Sequence, residues 1–247
     1  MPNTIILIPS RMSATRLPGK PLLKINDFPI ISHVFNKARK TNIGKVVVCT
    51  EDDVIFKEVI NNGGEAILTS NQHKSGSDRI WEGFKKLGKN EVDYILNLQG
   101  DEPNINENDI INLNKLMISN NADIGTLATK IKSEKMLLNE NIVKVELNEK
   151  LSNKNFPVAI NFSRKKNISN KYKNAYHHIG IYIYKVNILE KFVNFNQTEN
   201  EIKYNLEQLR AMDNGIKINV ALAESSPIGI DTEEDYLALK KIMEYKS

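Results

Sequence analysis

The chain has 247 residues, of which 40% are hydrophobic and 26% charged, and its formal net charge is +4. These values exclude a fibre, a disordered tail and a mostly membrane-embedded chain, and the mild charge, without any block of five like charges, does not favour a nucleic-acid partner. The single cysteine, Cys49, excludes an internal disulfide and a cysteine-rich zinc site; with no signal-peptide pattern, it leads us to expect a cytoplasmic protein.

The first half of the chain alternates between strand and helix patterns. Short apolar, β-branched runs predict strands, and apolar residues at helical spacing predict helices between them. In chain order we predict strand Thr4–Pro9, helix Pro29–Asn42, strand Lys45–Thr50, helix Asp53–Asn61, strand Ala66–Thr69, helix Ser77–Leu87, strand Tyr94–Leu98, helix Glu107–Ser119 and strand Ile124–Thr129. Nearly continuous apolar strands separated by helices indicate a parallel sheet covered by helices on both faces.

The second half is less regular. We predict strands Ile142–Leu147, Val158–Phe162, His178–Tyr184 and Lys217–Leu222, helices Asn187–Phe195, Lys203–Met212 and Thr232–Tyr245, and a polar loop Ser163–Ala175. Thr232 is a suitable N-cap for the last helix. The whole pattern predicts one α/β domain over residues 1–247, with a mostly parallel central sheet and a smaller β-rich element around 142–215.

The segment Pro9–Pro21 directly follows the first strand and reads Pro-Ser-Arg-Met-Ser-Ala-Thr-Arg-Leu-Pro-Gly-Lys-Pro. Ligands of open α/β sheets bind at the carboxyl ends of the strands. The segment supplies the cations Arg11, Arg16 and Lys20 together with small hydroxyl residues and Gly19, which suits a polyphosphate better than a single carboxylate. It matches neither the dinucleotide-binding glycine pattern nor the P-loop, and a solvated basic loop is the alternative.

Two aspartates are candidate metal ligands. Asp101, in the Leu98–Pro103 turn, follows a predicted strand, where a carboxylate can hold Mg²⁺ against substrate phosphates. Asp231 precedes the last helix and is a candidate second ligand. The alternatives are an ordinary Gly-Asp turn for Asp101 and helix capping for Asp231.

Seven motifs, in order along nearly the whole chain, resemble the 3-deoxy-manno-octulosonate cytidylyltransferase (CMP-Kdo synthetase) family. They are Pro9–Pro21, His73–Arg79, Gln99–Pro103, Phe162–Arg164, His178–Tyr182, Leu206–Arg210 and Gly229–Thr232. The resemblance implies a three-layer, Rossmann-like nucleotidyltransferase fold and transfer of CMP from CTP to the sugar acid Kdo, with release of pyrophosphate. It also implies dependence on Mg²⁺, a homodimer and a place in lipopolysaccharide synthesis.

The resemblance also implies residue roles. Arg11 and Lys20 would grip the triphosphate, with Ser13, Arg16 and Gly19 assisting, and Ser75, Gly76 and Arg79 would read cytosine and ribose. Asp101 and Asp231 would hold Mg²⁺. The sugar acid would be surrounded by Gln99, Arg164, His178, Tyr182, Glu207 and Gln208, and Arg164 suits its carboxylate because arginine binds carboxylates through two parallel hydrogen bonds.

The chain departs from the family pattern at one place. After Ser163-Arg164 the family has an apolar, proline-containing stretch, whereas this chain continues with Lys165-Lys166-Asn167. Three alternatives therefore stay open: CMP transfer to 8-amino-Kdo, CMP transfer to a sialic acid, and a non-catalytic nucleotide-binding protein.

Overall fold

The computed structural model describes residues 2–13, 16–88, 91–164, 174–227 and 229–245. The strands are β1 (Thr4–Ser10), β2 (Lys24–Ile25), β3 (Phe28–Pro29), β4 (Gly44–Thr50), β5 (Ala66–Leu68), β6 (Tyr94–Asn97), β7 (Ile124–Lys130), β8 (Lys144–Leu147), β9 (Ala159–Ser163), β10 (Ala175–Lys185) and β11 (Ile218–Leu222). The helices are α1 (Ile30–Lys40), α2 (Asp53–Asn61), α3 (Gly76–Leu87), α4 (Glu107–Asn120), α5 (Glu134–Leu138), α6 (Val186–Asn194), α7 (Glu199–Tyr204), α8 (Gln208–Asp213) and α9 (Glu233–Glu244).

The chain forms two compact units, Met1–Ile110 with Pro227–Ser247, and Ile111–Ser226. In the first unit, β6, β1, β4 and β5 lie side by side and all pair in parallel. The β1 residues Ile5–Ile8 are each at most 1% exposed. They are buried on both faces of the sheet, which explains their unbroken apolar run. Helices α1 and α3 pack against β1 and β4.

The first unit also contains a small antiparallel pair, β2 and β3, that the sequence analysis did not predict. Its turn places Asn26 and Asp27 at φ values of 47° and 63°. Positive φ at both central residues is typical of a tight hairpin turn, and asparagine and aspartate tolerate it better than most residues. A 3-10 turn at Lys20–Leu22 precedes the pair.

The second unit is β-rich. β11 pairs in parallel with β7, whereas β10 is antiparallel to β7 and β8, and β8 is antiparallel to β9. The β10–β7 register shifts between Ile179 and Tyr182. The buried Thr126 hydroxyl lies at this bulge, 3.1 Å from the Ile179 carbonyl oxygen and 2.8 Å from that of Ile181. The predicted α/β class, with a largely parallel first half and a smaller β-rich element, is confirmed; the prediction of a single domain stays a prediction.

One predicted element is wrong and one lies partly outside the described residues. Lys203–Met212 is not a single helix, because Asn205 adopts a left-handed φ of 52° that ends α7 before α8 begins. α5 and the first turn of α7 were not predicted. Of the predicted loop Ser163–Ala175, residues 165–173, which include Lys165, Lys166, Lys171 and Lys173, lie outside the described residues. Among the described residues, the helices lack the combined length and apolar character that a membrane span requires.

Candidate active site

A cavity of about 300 Å³ in the first unit lies at the carboxyl ends of β1 and β6. Most of the residues predicted to bind nucleotide or metal line it: Arg11, Arg16, Lys20, Ser75, Gly76, Arg79, Asp101 and Asp231. His73 and Lys74 complete one wall. Five cationic side chains against two carboxylates make the cavity suited to an anionic ligand.

Lys20 is at the centre of the polar contacts in this cavity. Its Nζ lies 2.6 Å from Asp101 Oδ2 and 3.6 Å from Asp231 Oδ1, and it donates to the Ile230 carbonyl oxygen at 2.5 Å. Arg16 Nη2 lies 3.0 Å from the other oxygen of Asp231. The two aspartates, 130 residues apart in sequence, therefore approach one ammonium group.

A hydrophobic cluster brings Asp231 to this position. Ile25, Ile30, Ile230 and Leu239 pack together with essentially no exposed surface, and Leu17 and Tyr236 pack against them. Thr232 caps α9 in a capping box with Asp235, as the sequence predicted for Thr232. Packing of α9 beside β2 and α1 thus places Asp231 next to Lys20.

Glu102 is a neighbour of the site that the sequence analysis missed. It is 9% exposed, and its Oε2 has no hydrogen-bond partner within the described residues. Burial, together with the negative charges of Asp101 and Asp231, raises the pKa of its carboxyl to about 8 against the opposing effect of Lys20. The only signal in the sequence was its place directly after Asp101.

The amino end of α3 forms a second wall. Ser75 caps the helix, its Oγ accepting from the Asp78 backbone N–H at 3.1 Å, and a Cβ on Gly76 would lie 3.2 Å from the Pro9 ring. Unpaired N–H groups at a helix start favour an anion. The hydroxyl of Ser75, predicted to read the nucleoside, is thus also a helix cap.

Arg79 lines the cavity, and other side chains and a backbone carbonyl fix its guanidinium. It is 3% exposed, pairs with Glu51 through Nη2, and donates through Nη1 to Thr69 Oγ1 at 2.7 Å and to the Ser70 carbonyl at 3.2 Å. These contacts orient the guanidinium rigidly. Sequence alone does not reveal Glu51 as a partner of Arg79, because the two residues lie 28 positions apart in the chain.

Glu82 anchors the segment that precedes α3. It accepts from the Ser70 backbone N–H at 3.0 Å and pairs with His73 and Lys86. Burial alone would raise the pKa of Glu82, but the hydrogen bonds from Lys86, His73 and Ser70 lower it to about 2. The carboxylate is therefore charged at neutral pH and ties the wall containing His73 to α3.

Two residues predicted for the nucleotide site do not line the cavity. Ser13 is exposed. Gly19 turns the backbone with a positive φ of 73°, and its N–H donates to the Met12 carbonyl oxygen at 3.2 Å. Met12 is itself fixed by Asp52, whose Oδ2 accepts from the Met12 N–H at 2.8 Å. Ala14 and Thr15, in the same motif, lie outside the described residues.

The donor set at Lys20 fits a divalent cation. Asp101 and Asp231 supply hard carboxylate oxygens, and Mg²⁺ is typically held by one or two carboxylates, substrate phosphates and water. Within the described ranges, no group of three or more acidic, histidine or cysteine side chains is arranged to hold a metal by itself. The residues therefore fit a metal that arrives with a phosphate ligand better than a permanently caged one.

Of the residues predicted for the sugar acid, Gln99 lines the cavity of the first unit, whereas Arg164, His178, Tyr182, Glu207 and Gln208 belong to the second. In that unit Phe162, His178, Tyr182, Tyr184 and Phe192 form a chain of ring contacts with centroid separations of 5.1 to 5.9 Å. Burial lowers the pKa of His178 to about 3 and raises that of Tyr182. Both side chains are thus neutral at pH 7.

Glu207 and Arg210 lie three residues apart in the sequence, but Glu207 is not the main partner of Arg210. Arg210 is buried and binds Glu201 through two hydrogen bonds, Nε to Oε2 at 2.8 Å and Nη2 to Oε1 at 2.5 Å. Glu207 lies farther away, 3.8 Å from Arg210 Nη2, at the start of α8. Glu201 is therefore the principal partner of Arg210.

The parallel sheet, with its cationic cavity and paired carboxylates, defines a nucleotidyltransferase. In agreement, the model of a family described as cytidylyltransferase matches residues 5–218. A 3-deoxy-manno-octulosonate cytidylyltransferase of Thermodesulfovibrio yellowstonii is 45% identical, covering 97% of this chain and 98% of that protein. One of the same name from Bartonella tribocorum is 40% identical, covering 97% and 98%. The chain belongs to the 3-deoxy-manno-octulosonate cytidylyltransferase family.

A solved structure supports the same relationship at the level of the fold. CMP:2-keto-3-deoxy-manno-octonic acid synthetase, determined in complex with CTP, superimposes with a TM-score of 0.91 and 33% identity, covering 99% of this chain and all of that one. The predicted family and enzyme class are therefore confirmed. The roles predicted for individual residues stay predictions.

Proposed function

We propose that the enzyme transfers CMP from CTP to the anomeric hydroxyl of Kdo, giving CMP-Kdo and pyrophosphate. The observation that carries this proposal is the contact of Lys20 with both Asp101 and Asp231 inside a cationic cavity. Family membership over nearly the full chain supports the choice of nucleotide and acceptor.

Positioning and charge neutralisation account for most of the catalysis of phosphoryl-type transfer. The anomeric hydroxyl oxygen attacks the α-phosphorus and loses its proton to water. The bond from that phosphorus to the oxygen bridging the α- and β-phosphates breaks, and pyrophosphate leaves. Arg11, Arg16 and Lys20 bind the triphosphate, and the amino end of α3 adds backbone donors. Arg11 is exposed and lines the cavity, so its guanidinium is accessible to a bound triphosphate.

Asp101 and Asp231 would hold the metal. A bound Mg²⁺ supplies Lewis acidity that polarises phosphate oxygens and lowers the charge repulsion between nucleotide and nucleophile. Lys20 contacts both carboxylates and can exchange them for a phosphate oxygen within the same cavity. Its role is to balance charge in both arrangements.

The acceptor is assigned to Gln99, Arg164, His178, Tyr182, Glu207 and Gln208, as the family resemblance implies. Arg164 is the partner of the sugar carboxylate. Neutral His178 and Tyr182 suit hydroxyl groups of the sugar, because each can exchange hydrogen bonds with a hydroxyl without the cost of burying a charge.

The resemblance also supports a homodimer, a cytoplasmic location and a role in lipopolysaccharide synthesis. The only cysteine is buried and unpaired, in keeping with a reducing compartment. Sedimentation equilibrium at micromolar concentration tests the dimer, which predicts a mass of about twice 28.1 kDa.

The test is pyrophosphate release with Mg²⁺, crossing CTP, UTP and ATP against Kdo, 8-amino-Kdo and N-acetylneuraminate, with EDTA in a parallel series. We expect release with CTP and Kdo only, and none with EDTA. Release with 8-amino-Kdo instead would support the second candidate, for which the lysine-containing departure after Arg164 is the specific observation. CTP binding without turnover would leave a non-catalytic nucleotide-binding protein.

A further inference from the structure

Lys144 is buried to an unusual degree for a lysine. It lies in β8 and is 1% exposed, although lysine is almost never fully buried unless it is paired. No described carboxylate forms a salt bridge with it. Its Nζ instead donates to two backbone carbonyl oxygens, that of Asn139 at 2.7 Å and that of Arg164 at 2.6 Å. The ammonium of Lys144 thus connects the backbone at Asn139 to the backbone at Arg164, although burying a cation costs free energy.

The two carbonyls belong to the segments that surround the Arg164 side chain. Arg164 directly follows β9, and Asn139 ends α5 just before Asn141. The Arg164 Nη1 donates to the Asn141 carbonyl oxygen at 3.3 Å. Lys144 therefore fastens the backbone from which Arg164 projects to the turn against which its guanidinium rests.

Lys144 also places a second positive charge close to Arg164. Burial lowers the pKa of Lys144, the negative charge of Glu140 raises it, and the positive charge of Arg164 lowers it. His177, opposite Lys144 in the β10–β8 pair, has its pKa lowered by burial and by Lys144. Two neighbouring cations, Lys144 and Arg164, favour an anionic ligand at Arg164. Because Lys144 is itself enclosed, it acts through Arg164 rather than by touching a ligand.

We infer that Lys144 is a positioning residue that sets the backbone and guanidinium of Arg164 for the carboxylate of the sugar acid. The inference rests on the proposed function, since it takes Arg164 as the carboxylate partner. The other explanation is that Lys144 only stabilises the fold. The two differ in one respect: a positioning role changes recognition of the acceptor and leaves recognition of CTP intact.

Steady-state pyrophosphate release with wild type and the variants Lys144→Met and Lys144→Gln tests this. Methionine keeps the four-atom stem of lysine without its donors, whereas glutamine supplies amide donors, one bond nearer the backbone, without charge. We expect Lys144→Met to raise KM for the sugar acid by about tenfold, the scale of one misplaced charge-assisted contact, with KM for CTP unchanged within twofold. We expect Lys144→Gln, which can still donate hydrogen bonds, to recover part of this loss.

Lys185→Met is the matched control, because Lys185 lies in the same unit and its Nζ bonds Asp123 at 3.1 Å, with no link to Arg164. It should leave both KM values unchanged. A double-mutant cycle adds Arg164→Gln: if Lys144 acts through Arg164, Lys144→Met should raise KM for the sugar acid no further in the Arg164→Gln background. Additive effects, or equal changes in both KM values, would overturn the inference.

Two outcomes separate this inference from the proposed function. If wild type is active with a sugar acid and the folded Lys144 variants have normal KM values, the role of Lys144 is rejected and the proposed function stands. Wild type that is inactive with every sugar acid rejects both. If Lys144→Met does not fold, Lys144→Leu, which also lacks donors, takes its place, and an unchanged KM for the sugar acid in that variant rejects the role.

Discussion

The ammonium of Lys20 lies 2.6 Å from the Asp101 carboxylate, although the two residues are 81 positions apart in the chain. The contact neutralises a carboxylate that would otherwise repel a nucleotide phosphate. Lys20 would share the Asp101 carboxylate oxygens with any divalent cation that this residue holds. On binding of a metal–nucleotide complex we therefore expect Lys20 to shift its hydrogen bond from Asp101 toward phosphate.

The first prediction concerns Asp101. Asp101→Asn keeps the volume and removes the charge, so we expect turnover to fall about 10³-fold with the fold retained. Pyrophosphate release and far-UV circular dichroism measure the two effects. Asp93→Asn is the control, because Asp93 lies just before β6, at the opposite end of that strand from the cavity, and its carboxylate accepts a hydrogen bond from the N–H of the exposed Asn3. Near-normal turnover in Asp101→Asn would remove this residue from the mechanism.

The second prediction concerns the ion pair of Glu201 with Arg210. Glu201→Ala leaves a buried guanidinium without its carboxylate, and breaking a buried pair in this way costs about 3 to 5 kcal/mol. We expect the midpoint of urea unfolding to fall accordingly. Glu199→Ala, on the exposed face of the same helix, should change the stability by less than about 0.5 kcal/mol. Equal small effects in both variants would show that the pair contributes little.

The third prediction concerns pH. His178 has a pKa lowered to about 3 in the folded state by burial, whereas an unfolded histidine titrates near about 6.5. Between these values the unfolded chain binds the extra proton, so stability is fully present above about 6.5 and is lost as the pH falls toward 3. At pH 5 the loss is about 2 kcal/mol.

Urea unfolding of wild type and His178→Gln at pH 7.5 and pH 5 measures this contribution. We expect wild type to lose about 2 kcal/mol more than the variant between the two pH values, whatever the variant's stability at pH 7.5. The comparison cancels the other titrating groups, which both proteins share. Equal losses of stability in wild type and variant would mean that the pKa of His178 in the folded protein is close to that of an unfolded histidine.

The fourth prediction concerns the packing of α3 on β4. A Cβ at Gly83 would lie 2.4 Å from Cys49 Sγ, which is closer than real atoms approach. Gly83→Ala should therefore destabilise the protein by about 1 to 3 kcal/mol despite alanine's better helix propensity. Cys49→Ala removes the sulfur, so the double variant should be more stable than the sum of the single effects. Simple additivity in urea unfolding would contradict the contact.

Local patterns predicted most elements of the fold to within one or two residues. The apolar run of β1, the helical spacing of α3 and the Thr232 cap are short-range signals, written within one element. The prediction of a single helix over Lys203–Met212 was wrong for an equally local reason. Asn205 adopts the left-handed conformation and interrupts the helix, which helix propensities do not reveal. The hairpin β2–β3 was missed because its strands have only two residues each.

By itself the sequence determined the class of the protein, the order of its motifs and the cationic loop after β1. Only the tertiary structure decided which charges meet: Lys20 with Asp101 and Asp231, Arg79 with Glu51, Arg210 with Glu201, and Lys144 with the Arg164 carbonyl. The physical reason is that side-chain spacing along one element records which face is buried, whereas the partner of a buried charge, and the cost of burying it, depend on residues brought from distant parts of the chain.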